Sequence, residues 1–294
     1  ALPIFILFRI GSCAIMPVRV VTDSTCDLPR ALAEQHGITV VPLTVVFGDE
    51  GLLDGVDIDA NRFYERLRDF PGVPRTSQPS VERFVDTYRS LAADGADIVS
   101  IHLSSCLSGT LNSASVARDQ LAHEAHIELI DSYQVSMGLG SIVMDAAIAA
   151  AAGGSLAEVA NAARRAMDRT RVVACLDTLE YLRRGGRIGR ATSMLGSLLS
   201  IKPLIQVESG EIAPFERVRT RAKALDRLYA VATEDRNVRR MFVGCGGNDA
   251  EAHAFMERLQ PALPHTEFHI GQIGPAVGVH GGPNILGVAF TRRG

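Results

Sequence analysis

Five short stretches of this 294-residue chain combine side chains that can do chemistry. In Ser104-Ser-Cys-Leu-Ser-Gly-Thr110, hydroxyls, backbone N–H groups and Gly109 converge on one helix start, a cradle for a carboxylate or phosphate or simply a helix cap. The stretch lacks the G-x-x-x-x-G-K-[ST] order of a P-loop, and Ser108 has no G-x-S-x-G elbow around it. In Pro74-Arg-Thr-Ser-Gln-Pro-Ser80, a loop, Ser80 suits the cap of the next helix and leaves Thr76 and Ser77 to donate to an anion or to shape a turn. Thr22-Asp-Ser-Thr-Cys-Asp27 lies where a first strand ends, a place where ligands collect, although Asp27 or Ser24 equally suits a helix cap. Tyr181-Leu-Arg-Arg-Gly-Gly-Arg-Ile-Gly-Arg190 reads as a basic, mobile loop; with Lys202, Arg217, Arg219 and Arg221 it suits a phosphate group, an acidic partner or a solvated surface. In Gly278-Val-His-Gly-Gly-Pro-Asn284, His280 lies in a glycine-rich loop, where it can donate to an anion, carry a proton or be structural.

These stretches need elements to hold them. From Val18 the chain alternates β-branched runs with helical periodicity: strands over 18–22, 38–47, 97–103 and 127–130, with helices over 28–36, 59–67, 81–93 and 111–121. That is the rhythm of a doubly wound, mostly parallel sheet. Asp59 and Ser80 are the predicted caps of their helices. An Ala-rich helical region over 138–168, broken at Gly153-Gly154 and restarted by Ser155, suits a bridge between domains. Beyond it, Arg171–Leu176 opens a second region. There 204–207 and 212–218 flank Ser209-Gly210 as a hairpin, and strand and helix patterns at 220–233, 241–244 and 250–259 complete a C-terminal α/β domain with a mixed sheet. The expected domains are 17–168 and 169–294, and residues 1–16 read as an extension.

Composition sets the class. Hydrophobic residues make up 47% of the chain, aromatic ones only 5%, and Trp is absent. Ala, Val, Leu and Ile dominate, as suits strands buried between helices. Thirty Lys+Arg against 33 Asp+Glu give a formal charge of −3 without a block of like charges, which argues against a nucleic-acid partner, as does the shortage of stacking aromatics. Cys13, Cys26, Cys106, Cys175 and Cys245 are scattered and odd in number, so neither a disulfide framework nor a zinc site follows. The apolar start, residues 1–8, is too short to span a bilayer and fits a signal peptide poorly, which leads to an expectation of a cytoplasmic location.

Taken in order, Val20-Val-Thr-Asp-Ser-Thr-Cys-Asp-Leu28, Pro74–Ser80, Leu103–Thr110, Tyr181–Ile188, Arg217-Val-Arg-Thr220 and His280-Gly-Gly-Pro283 resemble the DegV family, from about Pro17 to Phe290. The resemblance implies two domains with a tunnel between them that holds one long-chain fatty acid as ligand, with no cofactor and no metal. It implies a non-catalytic subunit: a separate ATP-dependent fatty acid kinase docks on it and phosphorylates the carboxylate, and the acyl phosphate feeds phospholipid synthesis. On that pattern Thr76 and Ser108 match the carboxylate-holding hydroxyls, with Ser77, Ser105 and Gly109 as neighbours. His280 matches a histidine near the head group, and Arg187 and Arg219 match basic positions near the acyl phosphate or the partner. Membrane contact is expected to be transient at most. The alternative is a stand-alone acyl or phosphoryl hydrolase or transferase, with Ser108 or Ser105 as nucleophile and His280 as base.

Overall fold

The computed structural model describes residues 17–196 and 201–294; Cys13 and the expected extension over residues 1–16 lie outside the described residues. In chain order, the first part runs β1 (Val18–Asp23), α1 (Arg30–Gln35), β2 (Ile38–Val41), β3 (Thr44–Phe47), β4 (Glu50–Leu53), α2 (Ala60–Asp69), β5 (Arg75–Ser77), α3 (Val81–Ala92), β6 (Asp97–His102), α4 (Thr110–Gln120), β7 (Ile127–Asp131), α5 (Met137–Ala151) and α6 (Leu156–Met167). The rest runs β8 (Thr170–Cys175), α7 (Glu180–Arg184), β9 (Lys202–Glu208), β10 (Glu211–Val218), α8 (Arg221–Glu234), β11 (Val238–Cys245), α9 (Asp249–Leu259), β12 (Glu267–Gln272), α10 (Pro275–Gly281) and β13 (Leu286–Arg292).

Local chemistry starts these helices where expected. Asp59, Ser80 and Ser155 each accept a backbone N–H from the first turn of α2, α3 and α6, and Ser155 shares a full capping box with Glu158. Strands β2-β1-β6-β7 form an all-parallel sheet. Phe84, Val85, Ala114 and Ala117 of α3 and α4 cover one face, while Leu139, Ile142, Val159 and Ala163 of α5 and α6 cover the other. The chain is thus an α/β protein with a doubly wound parallel sheet, whose strand order reverses between β1 and β6. The second sheet runs β10-β9-β8-β13-β11-β12 and is mixed, with only β11 and β12 parallel. Helices α8 and α9 cover one of its faces. The other face looks toward the parallel sheet.

Helix α5 fills part of the space between the sheets, as suits a helix whose only polar side chains are Ser141 and Asp145. A Cβ on Gly138 would stand 2.4 Å from Val172 of β8, and one on Gly140 would stand 2.6 Å from the Cys26 carbonyl. One helix therefore touches both halves through missing side chains. Further along it, Ser141 bonds Thr291 at 2.7 Å, and Asp145 pairs with Arg239 and the fully buried Arg240.

Four readings change. The single strand expected over 38–47 is two strands, because Pro42 cannot continue a ladder and the chain leaves the parallel sheet there. Its second part, β3, centres a small antiparallel sheet, β4-β3-β5. The loop expected before Ser80 includes β5, an edge strand of that sheet. The stretch 181–190 is not one loop: α7 is followed by a turn and a 3₁₀ segment over Gly189–Met194, and Glu180 neutralises Arg183 and Arg184 while Glu208 and Glu211 neutralise Arg190. His280 belongs to helix α10 rather than to a loop; the loop begins at Gly282, whose φ of 74° ends the helix.

Candidate functional site

A cavity of about 350 Å³ opens between the two sheets, beside the carboxyl ends of β1 and β6. Leu43, Leu103, Leu107 and Val135 form its walls on one side, and Val172, Val207, Ile212 and Val277 on the other. Mostly apolar lining with a few convergent polar groups is the usual character of a small-ligand pocket.

The floor follows from strand register. Gly271 of β12 pairs with Gly244 of β11, Gly244 with Gly287 of β13, Gly287 with Ala174 of β8, and Ala174 with Ile205 of β9. Paired residues share a sheet face, so three glycines and one alanine stand in a line across the strands. Gly244, Gly287, Ala174 and Ile205 all line the cavity. The line is a trough, edged by the larger Val172, Val207 and Ile285.

The polar end is assembled from distant segments. Thr76, on β5, meets His280, on α10, with Oγ1 and Nε2 2.9 Å apart. Burial, reinforced by the nearby Arg187 charge, lowers the His280 pKa to about 4, so the imidazole is neutral at neutral pH. Its Nδ1 is buried without a partner. A proton on Nε2 is therefore the favoured tautomer, since it donates to Thr76 and leaves only an unused acceptor, not an orphaned N–H. The Thr76 hydroxyl proton then remains available for a ligand. Gly185 makes the arrangement possible: a Cβ there would stand 2.1 Å from His280 Nδ1.

Ser108 lines the same end, its Oγ 2.9 Å from Thr110 Oγ1. Gln78 lies over Gly109, whose Cβ would meet the carboxamide oxygen at 2.1 Å, and its Nε2 donates to Ser113 at 2.8 Å. Arg187 also reaches the cavity and donates from Nε to the Leu107 carbonyl at 3.1 Å, tying the second half of the chain to the hydroxyl turn. The structure thus brings Thr76, Ser77, Ser108, Arg187 and His280 to one cavity. Ser105 and Gly109 face outward, lining a shallow surface groove beside Asn112 and Arg118. Arg219 is exposed and does not line the cavity.

Two clusters behind the wall escaped sequence reasoning. Fully buried His102 joins Asp23 through Nδ1 at 3.0 Å and Ser100 through Nε2 at 2.8 Å, and Tyr88 closes the chain on Ser100. The order is that of a Ser–His–Asp triad, but Ser100 is sealed from the cavity and from solvent. Its visible work is support: Asp23 accepts N–H groups from Thr25 and Leu103, both cavity residues. The sequence offers no sign of it, since Asp23 and His102 are 79 residues apart.

The second cluster corrects the expected helix caps. Neither Ser24 nor Asp27 caps α1, whose N-cap is Pro29 without a side-chain bond; Asp23 caps the short 3₁₀ turn Ser24–Cys26 before it, and Ser24 accepts the Leu43 N–H. Asp27 accepts the Gly274 N–H at 2.8 Å and the Ser136 hydroxyl at 2.6 Å, while Asp54 accepts the Ala276 N–H. Two buried carboxylates therefore hold the start of α10. Burial raises both: Asp54 to about 7, and Asp27 well above the usual carboxylate range despite its hydrogen bonds. Ser136 holds φ 57° and ψ −145°, a conformation that favours glycine, and is kept there by Asp27.

Among the described residues, no group of three His, Cys, Asp or Glu side chains is placed to hold a metal, and no helix is long and apolar enough to cross a membrane.

The model of the DegV family, described as uncharacterised protein, DegV family, matches residues 17–293. The chain belongs to the DegV family. A DegV domain-containing protein of Streptomyces coelicolor is 42% identical over 282 residues, covering 94% of this chain and 99% of the relative. The crystal structure of DegV from Bacillus subtilis, described as a fatty acid binding protein, superimposes with a TM-score of 0.88 at 34% identity, over 95% of this chain and all of that one. A stearic acid-binding protein from Eubacterium ventriosum gives a TM-score of 0.87 at 30% identity, covering 94% and 98% of the two chains. DegV-fold neighbours are thus fatty acid binding proteins.

Proposed function

We propose that this protein binds one long-chain fatty acid between its halves, residues 17–168 and 169–294, with the tail along the glycine trough and the carboxylate at Thr76 and Ser108. The observation that carries the reading is the pairing of an apolar cavity with a hydroxyl-lined end whose histidine is neutral. Family relatives that bind fatty acids support it. A tail of about fifteen methylenes gains on the order of 12 kcal/mol from burial before binding costs, so affinity comes from the trough. The head group needs only donors. Thr76 and Ser108 can supply O–H groups, Ser77 stands beside them, and His280 fixes the direction of the Thr76 hydroxyl. Hydroxyl donors hold a carboxylate without clamping it in a tight ion pair, which leaves an oxygen free to act as nucleophile.

On this reading the protein is a substrate-presenting subunit in the cytoplasm, not an enzyme by itself. A separate ATP-dependent kinase docks at the hydroxyl end, and a carboxylate oxygen attacks the γ-phosphorus of ATP, releasing ADP and leaving an acyl phosphate for phospholipid synthesis. Ser105 and Gly109 face outward beside this end and Arg219 is exposed, so they fit the partner's side of the site rather than the acid itself. The stand-alone hydrolase has less to support it. His280 pairs with Thr76 rather than with Ser108, and no carboxylate orients its Nδ1. Mass spectrometry of denatured protein tests the binding: a stoichiometric fatty acid is expected, and its absence across several expression hosts would sink the reading. Turnover of acyl phosphates or acyl esters by the protein alone would favour the hydrolase.

A further inference from the structure

The trough continues one strand farther than the cavity does. Gly271 stands in register with Gly244 and extends the line of missing side chains onto β12, yet it does not line the cavity. The reason is Met137, the first residue of α5. Its thioether lies over both glycines: a Cβ on Gly244 would meet Met137 Cε and Sδ at 2.7 Å, and one on Gly271 would meet Cε at 3.1 Å. Met137 itself lines the cavity and is 3% exposed, so it forms an inner boundary. Behind it are Pro29, 3.4 Å from the same Gly271 position, and the clustered Met144 and Phe242, with Leu28 and Leu32 packed against them.

We propose that Met137 is the stop that sets the length of acyl chain this protein accepts, an inference that rests on the fatty-acid reading above. An unbranched thioether with three rotatable bonds is the side chain best able to fill an irregular gap and to yield part of it. Removing it opens the trough over Gly271, a gain of one strand spacing. That spacing, about 4.8 Å, corresponds to roughly four methylenes of extended chain at C–C bond lengths near 1.5 Å. Filling the trough from below has the opposite effect. A methyl group on Gly244 occupies the floor and displaces the mobile end of Met137 toward the ligand, not a fixed piece of backbone.

The experiment is a competition among saturated acids from dodecanoic to docosanoic for delipidated protein, read by mass spectrometry of the bound fraction. Met137→Ala should raise the ratio of eicosanoic to hexadecanoic acid by roughly a hundredfold or more, the worth of about four extra buried methylenes. Gly244→Ala should move the optimum to shorter acids, and Met137→Leu should leave it near that of the parent. Parent protein that binds acids while both Met137→Ala and Gly244→Ala keep its length preference overturns the proposal and leaves the fatty-acid reading standing. Parent protein that binds no acid of any length overturns both. Should Met137→Ala lose its cooperative unfolding transition, Gly244→Ala carries the test alone, and an unchanged optimum there overturns the proposal.

Discussion

The two ends of the cavity are built by opposite means. The hydroxyl end is made of side chains that are present: Thr76 from an edge strand, Ser108 from a turn, His280 from a helix and Arg187 from a loop. The trough is made of side chains that are missing, at Gly244, Gly287 and Ala174, and strand pairing alone brings them into line. Position at the hydroxyl end depends on hydrogen bonds, each replaceable by water. Capacity along the trough depends on space, which nothing replaces.

Substitutions can separate the two. Gly287 lies in the middle of the trough, and a Cβ there would already stand 3.1 Å from that of Ala174. Gly287→Leu is expected to lower fatty acid affinity by at least roughly a hundredfold while costing about 1–3 kcal/mol of stability from overpacking; displacement of a fluorescent acid and a urea titration measure the two effects. Thr76→Ala combined with Ser108→Ala should cost less, about tenfold in affinity for the pair because water can take over the lost donors, and the acid should remain bound with a more mobile head. Equal losses from both lesions would mean that the hydroxyls determine affinity and that the contrast is wrong.

Asp54 tests the support between the two ends. Its pKa is raised to about 7 in the fold, against about 3.8 for the free side chain, so folding favours its protonated form. The resulting stability is complete below pH about 4 and declines as pH rises to about 7. Asp54→Asn should flatten this part of the profile, reducing by a few kcal/mol at most the difference between urea midpoints converted at pH 5 and pH 8. An unchanged profile would assign the dependence to Asp27. The smallest effect is expected at Arg219: Arg219→Ala should change acid retention less than about twofold, as for exposed charges generally, yet slow phosphorylation if a kinase partner docks there as proposed. Loss of the lipid instead would place Arg219 at the cavity.

The contrast also explains what could be read in advance. Asp59, Ser80 and Ser155 act within three residues of their own positions, and their helices begin where expected. The hydroxyl stretches were legible for the same reason, because a run of donors before a helix is a local pattern. Pro42 is equally visible, yet the pattern over 38–47 predicts one strand, since a proline between two apolar runs does not say that they enter different sheets. The trough was illegible: Gly244 and Gly287 are ordinary strand glycines until register aligns them. Likewise Asp23 with His102, and Asp27 with Gly274, join residues 79 and 247 positions apart, a separation at which side-chain type carries no information about partner.

Helix α10 has a consequence for how the chain can be divided. It follows β12 in sequence, but Ala276 and Val279 pack into the aromatic cluster of Phe47, Phe63 and Tyr64, and its start is gripped by Asp27 and Asp54. A gene split between Asp168 and Arg169 therefore produces two fragments that each carry half of a lock. The first would leave two carboxylates and an aromatic cluster uncovered, and the second would hold a short helix that keeps its contact with α7 but loses the surface gripping its start. Such fragments are expected to recover structure only on mixing, so the two halves are better regarded as mutual templates than as separable modules.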